Sequence, residues 1–164
     1  MTDNATLTQS PGTRNAARAW VALLHAHTAL TRAFNADLQA THGLTVTDFE
    51  VLRHLDGADE GRMRRVDLAQ RVGLTPSGIT RLLEGLQGAG LVRKAECASD
   101  ARVSYAEITP EGREALRCAA ATHLAAIEAL FAERYSADEA VLLGELLERL
   151  PRAGDTGSCP HAGD

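Results

Sequence analysis

The chain has 164 residues, 45% of them hydrophobic and 24% charged, which suits one soluble globular domain whose core needs no disulfide or metal staple. Only 4% are aromatic, so the packing is expected to be aliphatic, Ala-rich and mainly helical. The formal net charge of -5 speaks against a nucleic-acid partner unless the basic residues are gathered in one place. No apolar run approaches the roughly 20 residues that span a bilayer. The first residues lack the basic and apolar regions of a secretory signal, so a cytoplasmic protein without a membrane partner is expected. Cys97, Cys118 and Cys159 are scattered and show no CxxC spacing, which implies reduced thiols and neither a disulfide framework nor a zinc site.

Residues 1–13 are polar, contain the Pro11–Gly12 pair, and are expected to form a disordered tail. Over residues 15–41, Trp20, Leu23, His27, Leu30, Phe34 and Leu38 recur at helical spacing and mark one face of a long helix. Ala16 and Ala19 extend this stripe beyond what a small domain needs, which suggests packing against a second subunit. Gly43 stops the helix. Thr47 and Glu50 then form a capping-box pattern, with Thr45 an alternative cap, opening a helix that turns Phe49, Leu52 and Leu55 inward. It breaks near Gly57, and residues 57–61 read as a polar loop. Val66, Leu68, Ala69 and Val72 make a short helix ended by Gly73; Met63, Arg64 and Arg65 precede it in place of a capping residue, adding only positive charge.

A tight turn leads to Thr75 as cap and Pro76 in the first turn of the next helix, where a missing N–H costs nothing. This is a helix-turn-helix. Ile79, Leu82, Leu83 and Leu86 share its apolar face, while Ser77, Arg81 and Glu84 lie opposite, flanked by Gly78 and Thr80. Gly85 and Gly88 weaken its second half, so useful contacts are expected from the first two turns. Residues 91–96 and 103–108 read as two strands joined by a polar tip that holds Cys97, Asp100 and Arg102, with Ala106 and Ile108 alternating with Tyr105 and Glu107. Helix-turn-helix plus hairpin is a winged helix. Thr109, Pro110 and Glu111 restart a helix running to about Tyr135, with a stripe through Leu116, Ala120, Leu124, Ile127, Leu130 and Phe131; Cys118 reads as a small core residue. Ser136 to Glu139 is a capping box for a last amphipathic helix carrying Val141, Leu142, Leu146 and Leu150, closed by Pro151. Residues 151–164, with Cys159 and His161, read as a disordered tail.

Charge is unevenly placed. From Arg62 to Arg102 there are eight basic residues against four acidic ones, a local charge of +4, so the acidic excess lies outside the winged segment. The first two turns of the second helix thus offer Thr75, Ser77, Gly78, Thr80 and Arg81 to DNA, and Arg81 suits a guanine O6 and N7 pair. Arg93 and Lys94 are candidate phosphate contacts, with a solvated strand face as the plain alternative. Arg102 at the tip suits a narrow minor groove. Asp100, repelled by phosphate, is better placed to hold a nearby Arg or the tip backbone.

Asp100, Arg102, Ile108, Thr109 and Gly112 match the wing signature of the MarR family of transcriptional regulators, and residues 67–91, DLAQRVGLTPSGITRLLEGLQGAGL, match its helix-turn-helix. Over residues 16–150 the chain resembles that family. The resemblance implies a mainly α fold: a winged helix-turn-helix at 45–109 and a helical dimerisation region from the N- and C-terminal helices, 14–44 and 110–150. It further implies a homodimer on double-stranded DNA with a pseudo-palindromic operator, a recognition helix in the major groove, and Arg102 at the minor groove. A repressor relieved by a small aromatic or anionic effector, lodged between the dimer helices and the winged part, completes what it implies.

On its own stripe His27 reads first as a core or interface histidine and second, with Trp20, as lining of an effector pocket. His25, His42, His54 and His123 are too scattered for metal, and no cofactor is implied. Cys97 raises a cysteine-based redox sensor as an alternative, although an incidental exposed thiol is the plainer reading. The net acidity and Glu84 on the outward face leave a second alternative, a winged-helix protein-interaction module without DNA binding. An enzyme is not expected, since no nucleophile triad, phosphate loop or paired carboxylates stand at motif spacing.

Overall fold

The computed structural model describes residues 11–96 and 104–151. Helix α1 spans Pro11–His42, and Leu38 is its one buried residue. Pro11, Gly12 and Thr13, expected in the tail, are already helical: a proline's fixed φ and missing N–H suit a first helical turn, so the Pro-Gly pair opens the helix and does not punctuate it. At the other end Gly43 takes φ +68° and its N–H donates to Gln39 O at 3.1 Å.

Helix α2, Val46–Asp56, begins at the earlier of the two starts that the sequence left open. Its cap is Thr45, not Thr47. Thr45 Oγ1 accepts from the Asp48 N–H at 3.0 Å and Asp48 Oδ2 accepts from the Thr45 N–H at 2.9 Å. Both frames fit the sequence pattern, and a tertiary contact accompanies the one adopted: the Val46 N–H donates to Asn35 Oδ1 of α1 at 2.7 Å. Glu50, released from capping, pairs with Arg53. Phe49, Val51, Leu52 and Leu55 of α2 are buried.

A 3-10 turn, Asp59–Gly61, takes up the loop and leads into strand β1, Arg62–Arg64. The sequence offered no sign of β1, since three residues are too few for alternation to show. It exists by pairing with the wing. Helices α3, Arg65–Arg71, and α4, Pro76–Gly88, form the helix-turn-helix, and α3 lacks a side-chain cap as its sequence implied. Strands β2, Val92–Glu96, and β3, Ser104–Ile108, form the hairpin, and the sheet order is β1-β3-β2. Met63 and Lys94 lie either side of Ala106, which is fully buried, as is most of Ile108.

Helix α5, Pro110–Arg134, and α6, Ala137–Leu147, complete the chain. The expected stripe on α5 is rotated. Gly112, Leu116, Ala119 and His123 are buried, so Leu124 is 63% exposed and Cys118, expected in the core, is exposed. Residue 118 falls off the stripe of threes and fours that the packed face sets. His123 sits edge-on between Phe34 of α1 and Phe49 of α2, with ring centroids 5.0 and 5.1 Å away. Arg117 and Glu128 interrupt any pure apolar run. Even so, by length and composition alone α5 contains an 18-residue window apolar enough to cross a bilayer, with a mean hydropathy of 1.3. Part of that apolar character is used against α1 and α2, and the rest is uncovered within the chain. Helix α6 has no buried residue.

The core is therefore concentrated in residues 38–119, with Leu52, Leu55, Leu68, Ile79 and Leu83 at its centre. The wing is clasped to α5 at one point. Thr109 Oγ1 donates to Gly90 O at 2.8 Å and accepts from the Gly112 N–H at 3.0 Å, while the Thr109 N–H donates to Leu91 O at 3.1 Å. A Cβ on Gly112 would collide with the Leu91 carbonyl oxygen and lie 2.9 Å from Ile108 Cγ1. Gly112→Ala is accordingly expected to cost about 1–3 kcal/mol of stability through overpacking, read as a lower midpoint in urea unfolding with an unchanged slope.

Candidate nucleic-acid interface

The first turn of α4 is built by its cap. Thr75 has extended backbone, φ -71° and ψ 159°, and its Oγ1 accepts from the Gly78 N–H at 3.1 Å, with Pro76 next in the chain. Ile79, Leu83 and Leu86 are buried, which fixes the rotation of the helix and leaves Ser77, Arg81 and Glu84 exposed. Ser77 Oγ lies 3.2 Å from Thr75 Oγ1. Gly78 stands behind this cap: a Cβ there would come within 3.2 Å of Thr75 Oγ1 and 3.7 Å of Leu74 Cβ. Its position is thus explained by the turn. Thr80 is half-buried, and its hydroxyl donates back to Pro76 O at 2.8 Å. Of the five candidates here, Thr75, Ser77 and Arg81 are exposed, while Gly78 and Thr80 are half-buried.

On the wing, Arg93 and Lys94 are exposed but point to opposite faces of the ribbon, so one direction of approach serves one of them. Arg93 stands opposite Glu107 in register and forms an ion pair with it. The hydrogen bond from Arg93 holds the Glu107 carboxyl below its usual range, and the same bond raises Arg93. A depressed carboxyl keeps its proton off throughout neutral pH, so the pair persists there and is lost only as pH falls through the lowered value. Arg93 is therefore locally neutralised. Arg102, Asp100 and Cys97 lie outside the described residues.

Trp20 is 60% exposed and His27 is exposed, two turns apart on α1; the chain encloses neither, so the pocket expected of them is not formed within the chain. His27 borders a shallow recess with Thr31, Arg32 and Asn35. A deeper candidate lies between α2 and α5, a recess of about 710 Å³ floored by Phe49, Leu116 and His123 and rimmed by Arg53, Arg113 and Arg117. His123 is 8% exposed and its Nδ1 has no hydrogen-bond partner. The sequence held a sign of this site: the spacing of Gly112, Leu116, Ala119 and His123 is a second possible stripe on α5. Among the described residues no three His, Cys, Asp or Glu side chains gather as metal ligands, and His42 instead bonds Thr122 Oγ1 at 2.9 Å.

Another recess, of about 390 Å³, opens between α4 and the base of the wing, with Arg64, Arg65, Thr80 and Ser104 on its walls. Arg64 occupies the cap position of α3 and Arg65 is its first residue.

A family model described as MarR family matches residues 42–103, from the end of α1 to the wing tip. The chain is 35% identical over 115 residues to the HTH-type transcriptional repressor YetL of Bacillus subtilis, an alignment covering 68% of each protein. In structure it is similar to Sco3205, a MarR family transcriptional regulator from Streptomyces coelicolor solved in complex with DNA, with a TM-score of 0.74 and 26% identity over 85% of this chain and 86% of that one. It is also similar to AbsC, another MarR family regulator of that organism, with a TM-score of 0.72 and 29% identity over 85% and 92% of the two chains. With its cap, recognition helix and hairpin in that family's arrangement, the chain belongs to the MarR family of DNA-binding transcriptional regulators.

Proposed function

We propose that this regulator is a cytoplasmic homodimeric repressor that binds a pseudo-palindromic operator and is released by a small aromatic anion. The observation that carries the DNA reading is the outward face of the first two turns of α4, Ser77 and Arg81, held beside the Thr75 cap while the opposite face is locked in the core. Arg102 of the wing is assigned to the minor groove, with Asp100 as its support, and Arg93 and Lys94 to the flanking backbone. Repression is supported by the name of the Bacillus subtilis relative.

The dimer is supported by apolar side chains that the chain leaves uncovered on α1, α5 and α6: Trp20, Val21, Leu124, Val141, Leu142 and Leu146 are each 46% to 63% exposed. Residues 14–44 and 110–150 would form that contact, carrying two winged parts at 45–109 to half-sites about 34 Å apart. The recess between α2 and α5 suits an aromatic ligand better than the surface around Trp20 and His27, because it pairs an apolar floor with an unpartnered His123 Nδ1; the guanidinium groups of Arg53, Arg113 and Arg117 on its rim are held by Glu50, Asp56 and Glu114. A ligand there would bias the angle between the winged part and the dimer helices, hence the spacing of the two recognition helices.

Five outcomes are expected. In a gel-shift on the duplex upstream of its own gene, specific binding should collapse with rising salt. Arg81→Ala should lose about 1–3 kcal/mol of discrimination at one base pair, and Arg102→Ala should weaken binding with the dimer intact; salt-insensitive or absent specific binding would refute the DNA reading. Leu142→Glu should shift the sedimentation coefficient toward the monomer and abolish operator binding, and an unchanged dimer would remove α6 from the interface. Aromatic carboxylates should raise the melting temperature and release DNA from the wild type but not from His123→Phe; an equal response in both would move the effector elsewhere.

A further inference from the structure

The phosphodiester strand separates the major groove from the minor groove. A protein that sets a helix in one and a hairpin tip in the other must let that strand pass between them. Among the described residues the space between the helix and the base of the hairpin is not filled. It is the recess of about 390 Å³ between the first turns of α4, the start of α3 and the first residue of β3.

The walls of that recess fit a phosphate. Arg64 and Arg65 both border it, and Arg65 makes no ion pair with any described residue, unlike Arg62 and Arg93, which carboxylates hold. Arg64 is positioned at the recess in part by Tyr105, to whose Oη its Nε donates at 3.3 Å. Ser104 supplies the least expected feature: its Oγ is buried and has no hydrogen-bond partner. A buried hydroxyl without a partner is destabilising, and an ion or water that satisfies it is one explanation for such a group.

We propose that Arg64, Arg65 and the Ser104 hydroxyl form a seat for one backbone phosphate of the bound duplex, between recognition helix and wing. The seat rests on the DNA reading above and adds to it residues that positional matching of helix and wing tip does not supply. Its contribution is to orientation and general affinity. Phosphates are the same at every step, so the seat carries no sequence information, but it fixes the depth at which Ser77 and Arg81 enter the groove.

The test measures equilibrium binding of the full chain to two labelled duplexes, the region upstream of its own gene and a mixed-sequence control, across a salt series. Arg65→Ala should weaken both duplexes by the same factor, leave their ratio unchanged, and reduce the slope of log K against log salt by about 0.9 for each protomer. Arg65→Lys, which keeps the charge, should restore the slope. Ser104→Ala should weaken both duplexes without lowering the melting temperature of the free protein, which a merely structural hydroxyl would lower. If the wild type binds and Arg65→Ala keeps its slope, or changes the ratio between duplexes, the seat is overturned while the DNA reading stands. If the wild type binds neither duplex, both fall.

Discussion

The Thr109 hydroxyl holds three parts of the chain at once. It donates to Gly90 O just past the recognition helix, caps α5 through the Gly112 N–H, and belongs to the residue that ends β3. Gly112 permits the arrangement, because only a residue without a Cβ lets the backbone of α5 lie against the Leu91 carbonyl. The winged part and the long helix therefore meet through backbone and a cap, with no flexible linker between them. The contacts at Thr109 and Gly112 tie the start of α5 directly to the end of α4 and to the hairpin.

Features decided by local chemistry were legible in the sequence. The Thr75–Pro76 and Thr109–Pro110 starts, the Ser136–Glu139 box and the alternation of Ala106 and Ile108 against Tyr105 and Glu107 all formed where the residue pattern put them. Features decided by competition between equal local options were not. Thr45 and Thr47 offer the same cap, and the frame adopted is the one in which α1 reaches Val46 through Asn35. Two stripes compete on α5, and the ring of His123 fits between Phe34 and Phe49, which turns Leu124 and Cys118 out. Strand β1 depends wholly on a partner strand more than forty residues later in the chain, beyond the reach of any window.

Charge shows the same division. The local +4 of the winged segment was read between Arg62 and Arg102, yet Arg62 pairs with Glu60 and Arg93 with Glu107, carboxylates just outside those bounds. Counting both lowers +4 by 2 to +2. Pairs this exposed contribute little to stability, but they decide which cations stay available to phosphate. What remains includes Arg65, which borders the recess between α4 and the base of the wing, and Arg81, exposed on α4. The field that DNA meets is therefore narrower than the sequence count implies, and it lies close to the elements that read the grooves.

Helix α6 is eleven residues long and buries none of them. A helix of that length is marginal in water without tertiary support, so its order must come from what covers Val141, Leu142 and Leu146. If the cover is a second copy of the chain, the persistence of α6 becomes a function of how much protein the cell holds. As copies fall, more chains would then stand with this end uncovered and open to proteases, so that the lifetime of the chain would shorten with its abundance.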